Sequence, residues 1–555
     1  MGRGERGVVL ALFVALLAMR AAFVYRMPID SDESQHLHVA WLWIEGRLPY
    51  RDFFDNHAPL FHILTAPFVA AVGERAEILI FARFAMFPLF VATLYLVYAL
   101  GRRLFDARVG AWAAILLGFH AEFFATSLEY RTDDLWIVMW LTAVLILLGG
   151  RWSLRRGFCG GLVLGIALGV SMKTSFLAAT LGGGVLVAIA ACPAARAGFT
   201  FRRTLTGVLA VVGGMLVVPG TIVACFASVG VFDALVYATT RHNAMTLGSG
   251  GWRPYQHYIL AAAVSGVLAA AAALGRSRWA PGDRARQLAF LASAGLAASL
   301  LFTIWPTSTR QDGLPLLVVL ALGVTSALVP ALDRVVARLR PERSARSARR
   351  IAIGALVVIT AAFAARTSVR PMPGAPPESD IRDLAEVLRI TDRADFVMDA
   401  KGDAIFRERP FYYVLELFTI YRIKNGTIED RIIERCVATG TTVWFGDFQR
   451  YPPATKARLV AAFVGPGRIR VAGAILGPPT IGAPMTFELL VPSRYAVIAE
   501  GAPVRGTLDG TPYDGPRALE SGPHTFVPDA AGGRLAVLWA KAAERGFSPF
   551  AATTK

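Results

Sequence analysis

Asp30, Asp32, Glu33, Asp52 and Asp55 crowd into the short stretch between Pro28 and Pro59 of a chain that is otherwise basic and apolar. Carboxylates at this density can accept a proton from an attacking hydroxyl or hold a hard cation through oxygen. A solvated polar loop is the plain alternative, and charge alone does not separate the two. Position favours chemistry. Asp32-Glu33 follows directly on the first apolar segment, where a carboxylate reaches both a membrane-held donor and an acceptor arriving from water. Asn56-His57-Ala58-Pro59 continues the same stretch. Charge and spacing do not distinguish Asp30 from Asp32.

Two further groups have the same character. Glu129-Tyr130-Arg131-Thr132-Asp133-Asp134 separates two apolar runs and carries more charge than a tight connection needs. Asp133 suits a metal or an acceptor, and Arg131 a carboxylate or a phosphate. The third group is cationic: Lys173 within Ser171–Ser175, Arg241 beside His242, and Arg310 before Gln311-Asp312. A leaving phosphate would explain cations there, since they stabilise the charge developing on it. Taken singly, each could equally be a snorkelling side chain.

The elements that must position these groups are membrane spans. The 555 residues are 55% hydrophobic and 17% charged, with a mean hydropathy of +0.50. Soluble domains carry about a quarter charged residues. The net charge of +17 comes from Arg residues between apolar runs, where the positive-inside rule explains it without nucleic acid. Four scattered cysteines define no framework. About eleven spans are expected, at 7–26, 78–100, 109–127, 134–150, 157–172, 175–192, 205–228, 257–275, 287–305, 313–332 and 350–366. The first reads as an uncleaved helix rather than a signal peptide, because Arg20 interrupts the cleavage region. Residues 57–72 are short and proline-bearing, which reads as a re-entrant or interfacial helix. The basic loops then share the cytoplasmic side with the N-terminus, while 27–77, 129–133, 172–174, 229–256 and 306–312 lie outside. A plasma (inner) membrane location follows, with an extracytoplasmic C-terminal region.

The expected fold is therefore mostly α and polytopic over 1–366, followed by a proline-rich linker at 367–379. Residues 380–465 read as a small α/β unit, with a helix at 380–390 and strands at 396–398 and 442–445. Alternation and turn signals make 466–555 β-rich. It weakly resembles a surface β-sandwich of the PEGA type around Val504–Gly510 and Glu520–Thr525. No catalytic constellation is visible in this tail.

Asp32-Glu33 in the first outer loop, Glu45–Tyr50, Asn56–Leu60, Gly101–Phe105 and Arg131-Thr132-Asp133 together resemble the GT-C glycosyltransferases. The nearest branch is that of the protein O-mannosyltransferases and lipid A aminoarabinose transferases, over roughly 8–330. The resemblance implies an integral membrane glycosyltransferase. It would pass a sugar, hexose or pentose, from a polyprenyl-phosphate carrier to an acceptor hydroxyl on a glycolipid, polysaccharide or protein at the outer face, by inversion. It implies Asp32 as base, supported by Glu33, with Asp30 competing for the role. Asp133 and Arg131 would support the acceptor. Lys173, Arg310, Arg241 and His57 would hold the donor phosphate. Relatives often carry Lys-Pro or His-Pro-Pro where this chain has His57-Ala58-Pro59. A divalent metal on Asp32 and Asp133 is compatible with the same carboxylates. Expected partners are the lipid-linked sugar, its acceptor and membrane lipids, without nucleic acid. The rivals are a transporter or flippase of lipid-linked saccharides, which should show internal repeats and broken helices that are not evident here, and a membrane-anchored scaffold acting through its tail.

Overall fold

The computed structural model describes residues 1–149, 152–197, 200–244, 281–303, 309–339, 344–371, 374–500, 503–530 and 532–550. Among these, six helices are long and apolar enough to cross a membrane: Arg3–Val24, Ile78–Leu104, Thr174–Ala191, Phe201–Ser228, Gln311–Leu339 and Arg346–Ser368. Thr132–Leu148 and Leu154–Val170 are helices of 17 residues each. Pro281–Thr303 underlies a further expected span, and the one at 257–275 lies outside the described residues. The segment expected at 109–127 is instead broken: Ala107–Gly118 ends and a separate short helix, Ala121–Thr126, follows. Twelve residues at about 1.5 Å each make a helix of roughly 18 Å, short of the ~30 Å hydrocarbon core. Leu60–Val72 is likewise short, with Pro67 inside it.

The chain forms two compact units. The first comprises Met1–Pro28, Asn56–Phe61 and Ile80–Gly374, and holds most of the apolar helices. Small residues allow its helices to approach closely. A Cβ added at Gly161 would lie 2.1 Å from the Val211 carbonyl oxygen, so glycine lets Leu154–Val170 and Phe201–Ser228 pack backbone to backbone, as membrane helices do.

The second unit comprises Ile29–Asp55, His62–Leu79 and Ala375–Lys555. Its strands are β1 (Val397–Met398), β2 (Val443–Phe445), β3 (Phe463–Val464), β4 (Ile469–Gly477), β5 (Met485–Leu489), β6 (Ser493–Ala499), β7 (Gly506–Leu508), β8 (Thr511–Pro512), β9 (Arg517–Leu519), β10 (Gly522–Pro528) and β11 (Leu535–Trp539). One sheet runs β1-β2-β4-β11-β6-β9, with β3 on β4, and a second runs β5-β10-β7-β8. β1 and β2 are parallel, while β2 and β4 are antiparallel with Val443 opposite Val471. The larger sheet thus passes through the boundary expected at 465. Trp444, Val471, Val537 and Phe463 are fully enclosed in its core, where burying each large apolar side chain is worth about 1.5–3 kcal/mol.

The stretch expected to be an acidic loop is helical in its first half. Ser31–Ile44 forms 14 residues of α-helix opened by Asp30 as N-cap. Asp30 accepts from the Asp32 amide at 2.9 Å, and the Glu33 carboxylate accepts from the Asp30 amide at 2.9 Å. This capping box satisfies amides that have no partner within the helix.

Candidate active site

The five carboxylates of the first stretch have separate fates within the second unit. Asp30 and Glu33 close the capping box. Asp52 pairs with Arg51 and accepts from the Leu48 amide at 2.7 Å on the surface; the Arg51 contact, aided by Leu48, holds its carboxyl below the usual range. Asp55 is buried and lies 3.4 Å from His62 Nδ1, whose Nε2 meets His36 Nδ1 at 2.9 Å. Asp32 differs. It stands in the first helical turn with its backbone fixed by Asp30, and its side chain keeps 24% of its surface exposed. Asp30 and Glu33 thus serve the helix start, while Asp32 turns its side chain to another partner.

Lys401 donates to Asp32 Oδ1 and lies 3.5 Å from Ser31 Oγ. It comes from the turn Asp399–Ile405 in the C-terminal region, where no catalytic group was expected. Asp399 organises this turn: it is fully buried, pairs with Arg409 at 2.9 Å and accepts from the Gly402 and Ala404 amides. The turn is seated on the Ser31–Ile44 helix, where His38 Nδ1 donates to the Ile405 carbonyl at 2.8 Å. Burial holds the His38 imidazole below its usual range, despite the nearby Asp399. Arg450 donates to Ser31 Oγ at 3.3 Å. Further along, Arg47 pairs with Glu408, and the Tyr412 hydroxyl donates to the Tyr50 carbonyl at 2.7 Å.

The first unit holds a separate charged cluster. Lys173 Nζ lies 3.3 Å from Asp133 and 2.5 Å from Asp312. Arg131 lies 3.4 Å from Asp133 and 3.7 Å from Glu129, and Gln311 donates to Glu129 at 3.1 Å. The helices supply the logic. Asp133 stands in the first turn of Thr132–Leu148, where a carboxylate suits the positive helix end. Lys173 caps Thr174–Ala191 with the wrong charge for that end, and two carboxylates compensate it. Trp136 braces the turn, donating to Thr174 at 3.0 Å with Lys173 over its ring. The sequence pointed to Asp133, Arg131 and Lys173, and the structure brings them together. It missed Asp312 and Glu129 as the groups that complete the set.

The remaining expected residues are less tightly placed. His57 is half-buried and close enough to Asp133 to act on its charge. Arg241 is exposed at the end of a turn whose Asn243 donates to the Asn56 carbonyl at 2.8 Å, beside His57. Arg310 is exposed at the head of the turn that carries Gln311 and Asp312. Among the described residues, no three His, Cys, Asp or Glu side chains come together to hold a metal ion. Asp133 and Asp312 surround a lysine instead.

The sequence model of the dolichyl-phosphate-mannose-protein mannosyltransferase family matches residues 56–223, less than half of the chain. No curated protein matches by sequence. Among solved structures, ArnT from Cupriavidus metallidurans bound to undecaprenyl phosphate is similar, with a TM-score of 0.55 and 14% identity over 84% of this chain and 98% of that one. Its apo form gives 0.56 over the same shares, also at 14% identity. The oligosaccharyltransferase of Archaeoglobus fulgidus gives 0.48 at 13% identity, over 80% of this chain and 69% of that one. The fold is thus the GT-C fold, in the ArnT-like arrangement of apolar helices followed by a C-terminal sheet region. This bears out the resemblance carried by the short sequence motifs.

Proposed function

We propose that the protein is an inverting membrane glycosyltransferase that uses a polyprenyl-phosphate sugar. The acceptor hydroxyl attacks the anomeric carbon, and a carbon–oxygen bond forms as the bond to the carrier phosphate breaks. The hydroxyl proton passes to Asp32, and polyprenyl phosphate leaves. A single displacement inverts the anomeric centre. Lys173 and Arg131, with His57, Arg241 and Arg310, supply the positive charge for the phosphate. The acceptor is a hydroxyl of a glycolipid, polysaccharide or protein, and the reaction faces the extracytoplasmic side. No step is assigned to a metal ion.

The observation that carries this reading is Asp32: a carboxylate fixed in the first turn of a helix, partly exposed, and held by the Lys401 ammonium. Its setting suits a group that must take a proton from an incoming substrate. Replacing Asp32 with Asn in purified protein supplied with a short-chain lipid-phosphate sugar should leave folding intact and remove transfer. Near-normal turnover by that variant would reject Asp32 as the base. Turnover by the wild-type protein in detergent also tells transfer from transport, since transport needs two compartments.

A further inference from the structure

Lys401 lies 369 residues along the chain from its partner, yet nothing about the contact is casual. The lysine is 5% exposed, and its turn is bound by Asp399 from within and by His38 from the helix that carries Asp32. Gly402, the next residue, has φ +95° and approaches so closely that an added Cβ would lie 2.6 Å from His38 Cβ. A long flexible cation is thereby held against one carboxylate oxygen with little freedom. Lysine that only decorates a surface keeps its head in water. A charge-assisted contact that is buried on the lysine side restricts the geometry of both partners.

We propose that Lys401 is a positioning residue for Asp32, so that the C-terminal region supplies part of the catalytic apparatus. The inference rests on the reading of Asp32 as the base. The ammonium holds the carboxylate in one orientation while the acceptor hydroxyl gives up its proton. Lys401 itself touches no reacting atom. Its loss acts on the rate of the bound complex and spares the affinities for donor and acceptor.

The test uses the full-length protein in detergent with a short-chain lipid-phosphate sugar. Lys401→Met removes the charge and keeps the length. It should lower kcat by about 30–100-fold, the cost of a misplaced catalytic group, with both KM values within about threefold. Lys401→Arg keeps the charge and should recover at least about tenfold of that loss. A Met variant with kcat near wild type, or an Arg variant no better than Met, would overturn the proposal. A fall in both affinities equal to the fall in kcat would do the same, because it marks general damage. Should Lys401→Met fail to fold, the Arg variant decides: kcat within about tenfold of wild type supports positioning, and a loss as deep as that of Asp32→Asn overturns it. Asp32→Asn keeps the two readings apart. If it stays active, the base assignment falls. If it is inactive while Lys401→Met works normally, only the role of Lys401 falls.

Discussion

His36 and His62 meet nitrogen to nitrogen at 2.9 Å, with both rings completely enclosed. Asp55, also buried, stands 3.4 Å from the far nitrogen of His62. With Nδ1–H of His62 toward the carboxylate, its Nε2 is left to accept, and His36 Nδ1–H donates. In that arrangement the three groups form one buried polar chain. His36 sits one helical turn after Asp32, at the i+4 position that shares its helix face. This chain therefore stiffens the helix that presents the proposed base.

Cutting this chain at its centre should be costly. His62→Ala takes away the polar neighbour of a buried carboxylate, and leaving a buried polar group less well satisfied costs about 1–3 kcal/mol. Denaturant unfolding of the protein in detergent should show a loss of that order. Asp55→Asn combined with His62→Ala should recover part of it, since a neutral amide is cheaper to bury than a carboxylate. Equal destabilisation by the single and double variants would show that packing, not charge, holds the site.

The sequence made some of this legible for physical reasons. Short apolar runs bounded by turn residues, such as Leu535–Trp539, which is buried along its whole length, reveal strands, and apolar length reveals the membrane helices. Asp30 followed three residues later by Glu33 is a capping-box pattern, yet its acidity reads as a catalytic cluster until the hydrogen bonds are seen. Lys401 was illegible because no local pattern marks it. Its meaning comes from a turn folded by Asp399 onto a distant helix. Asp312 and Glu129 were missed for the same reason, since Lys173, which meets Asp312, and Gln311, which meets Glu129, each lie in another inter-helical turn. The pairing of β2 with β4 likewise joins segments that composition separates.

Lys173 should prove structural and functional at once, and the two roles can be separated. Lys173→Met leaves Asp133 and Asp312 without their shared cation. It should lower stability by about 2–4 kcal/mol and raise the donor KM by at least about tenfold if the ammonium also meets the phosphate. Adding Asp312→Asn should restore part of the stability and none of the donor affinity. Recovery of both would show that Lys173 serves the fold alone.

Asp403 should make the second unit weaken as pH rises. Burial, then Asp399, push its carboxyl up to about 7, against the pull of Arg468, Lys401 and Arg450. In the unfolded chain the value is about 4. The folded state therefore prefers the protonated form. The stability from this group is full below about pH 4, declines above it and is lost as pH passes about 7. Partial exposure reduces the effect to the order of 2 kcal/mol. Cys436 is a suitable reporter: it is wholly enclosed, and burial pushes its thiol up to about 12. In protein lacking Cys159, Cys192 and Cys225, an aqueous thiol reagent should label Cys436 faster in wild type than in Asp403→Asn at pH 8. The difference should shrink towards pH 5. Parallel labelling at both pH values would remove Asp403 as the cause.

Gly402→Ala tests how the Lys401 turn is held. Two costs add at this position: φ is +95°, which L side chains avoid, and the new methyl would overlap His38 Cβ at 2.6 Å. Neither is relieved by a simple rotation, because the His38 ring is tied to the Ile405 carbonyl. The turn must therefore lift from the helix or strain in place. Unfolding should show a loss of about 1–3 kcal/mol. Lifting the turn also draws Lys401 away from Asp32, so kcat should fall with Gly402→Ala as it does with Lys401→Met. Combining the two should cost little more in kcat than either alone, because both break the same contact. Fully additive losses would mean that Gly402 and Lys401 act through different parts of the structure.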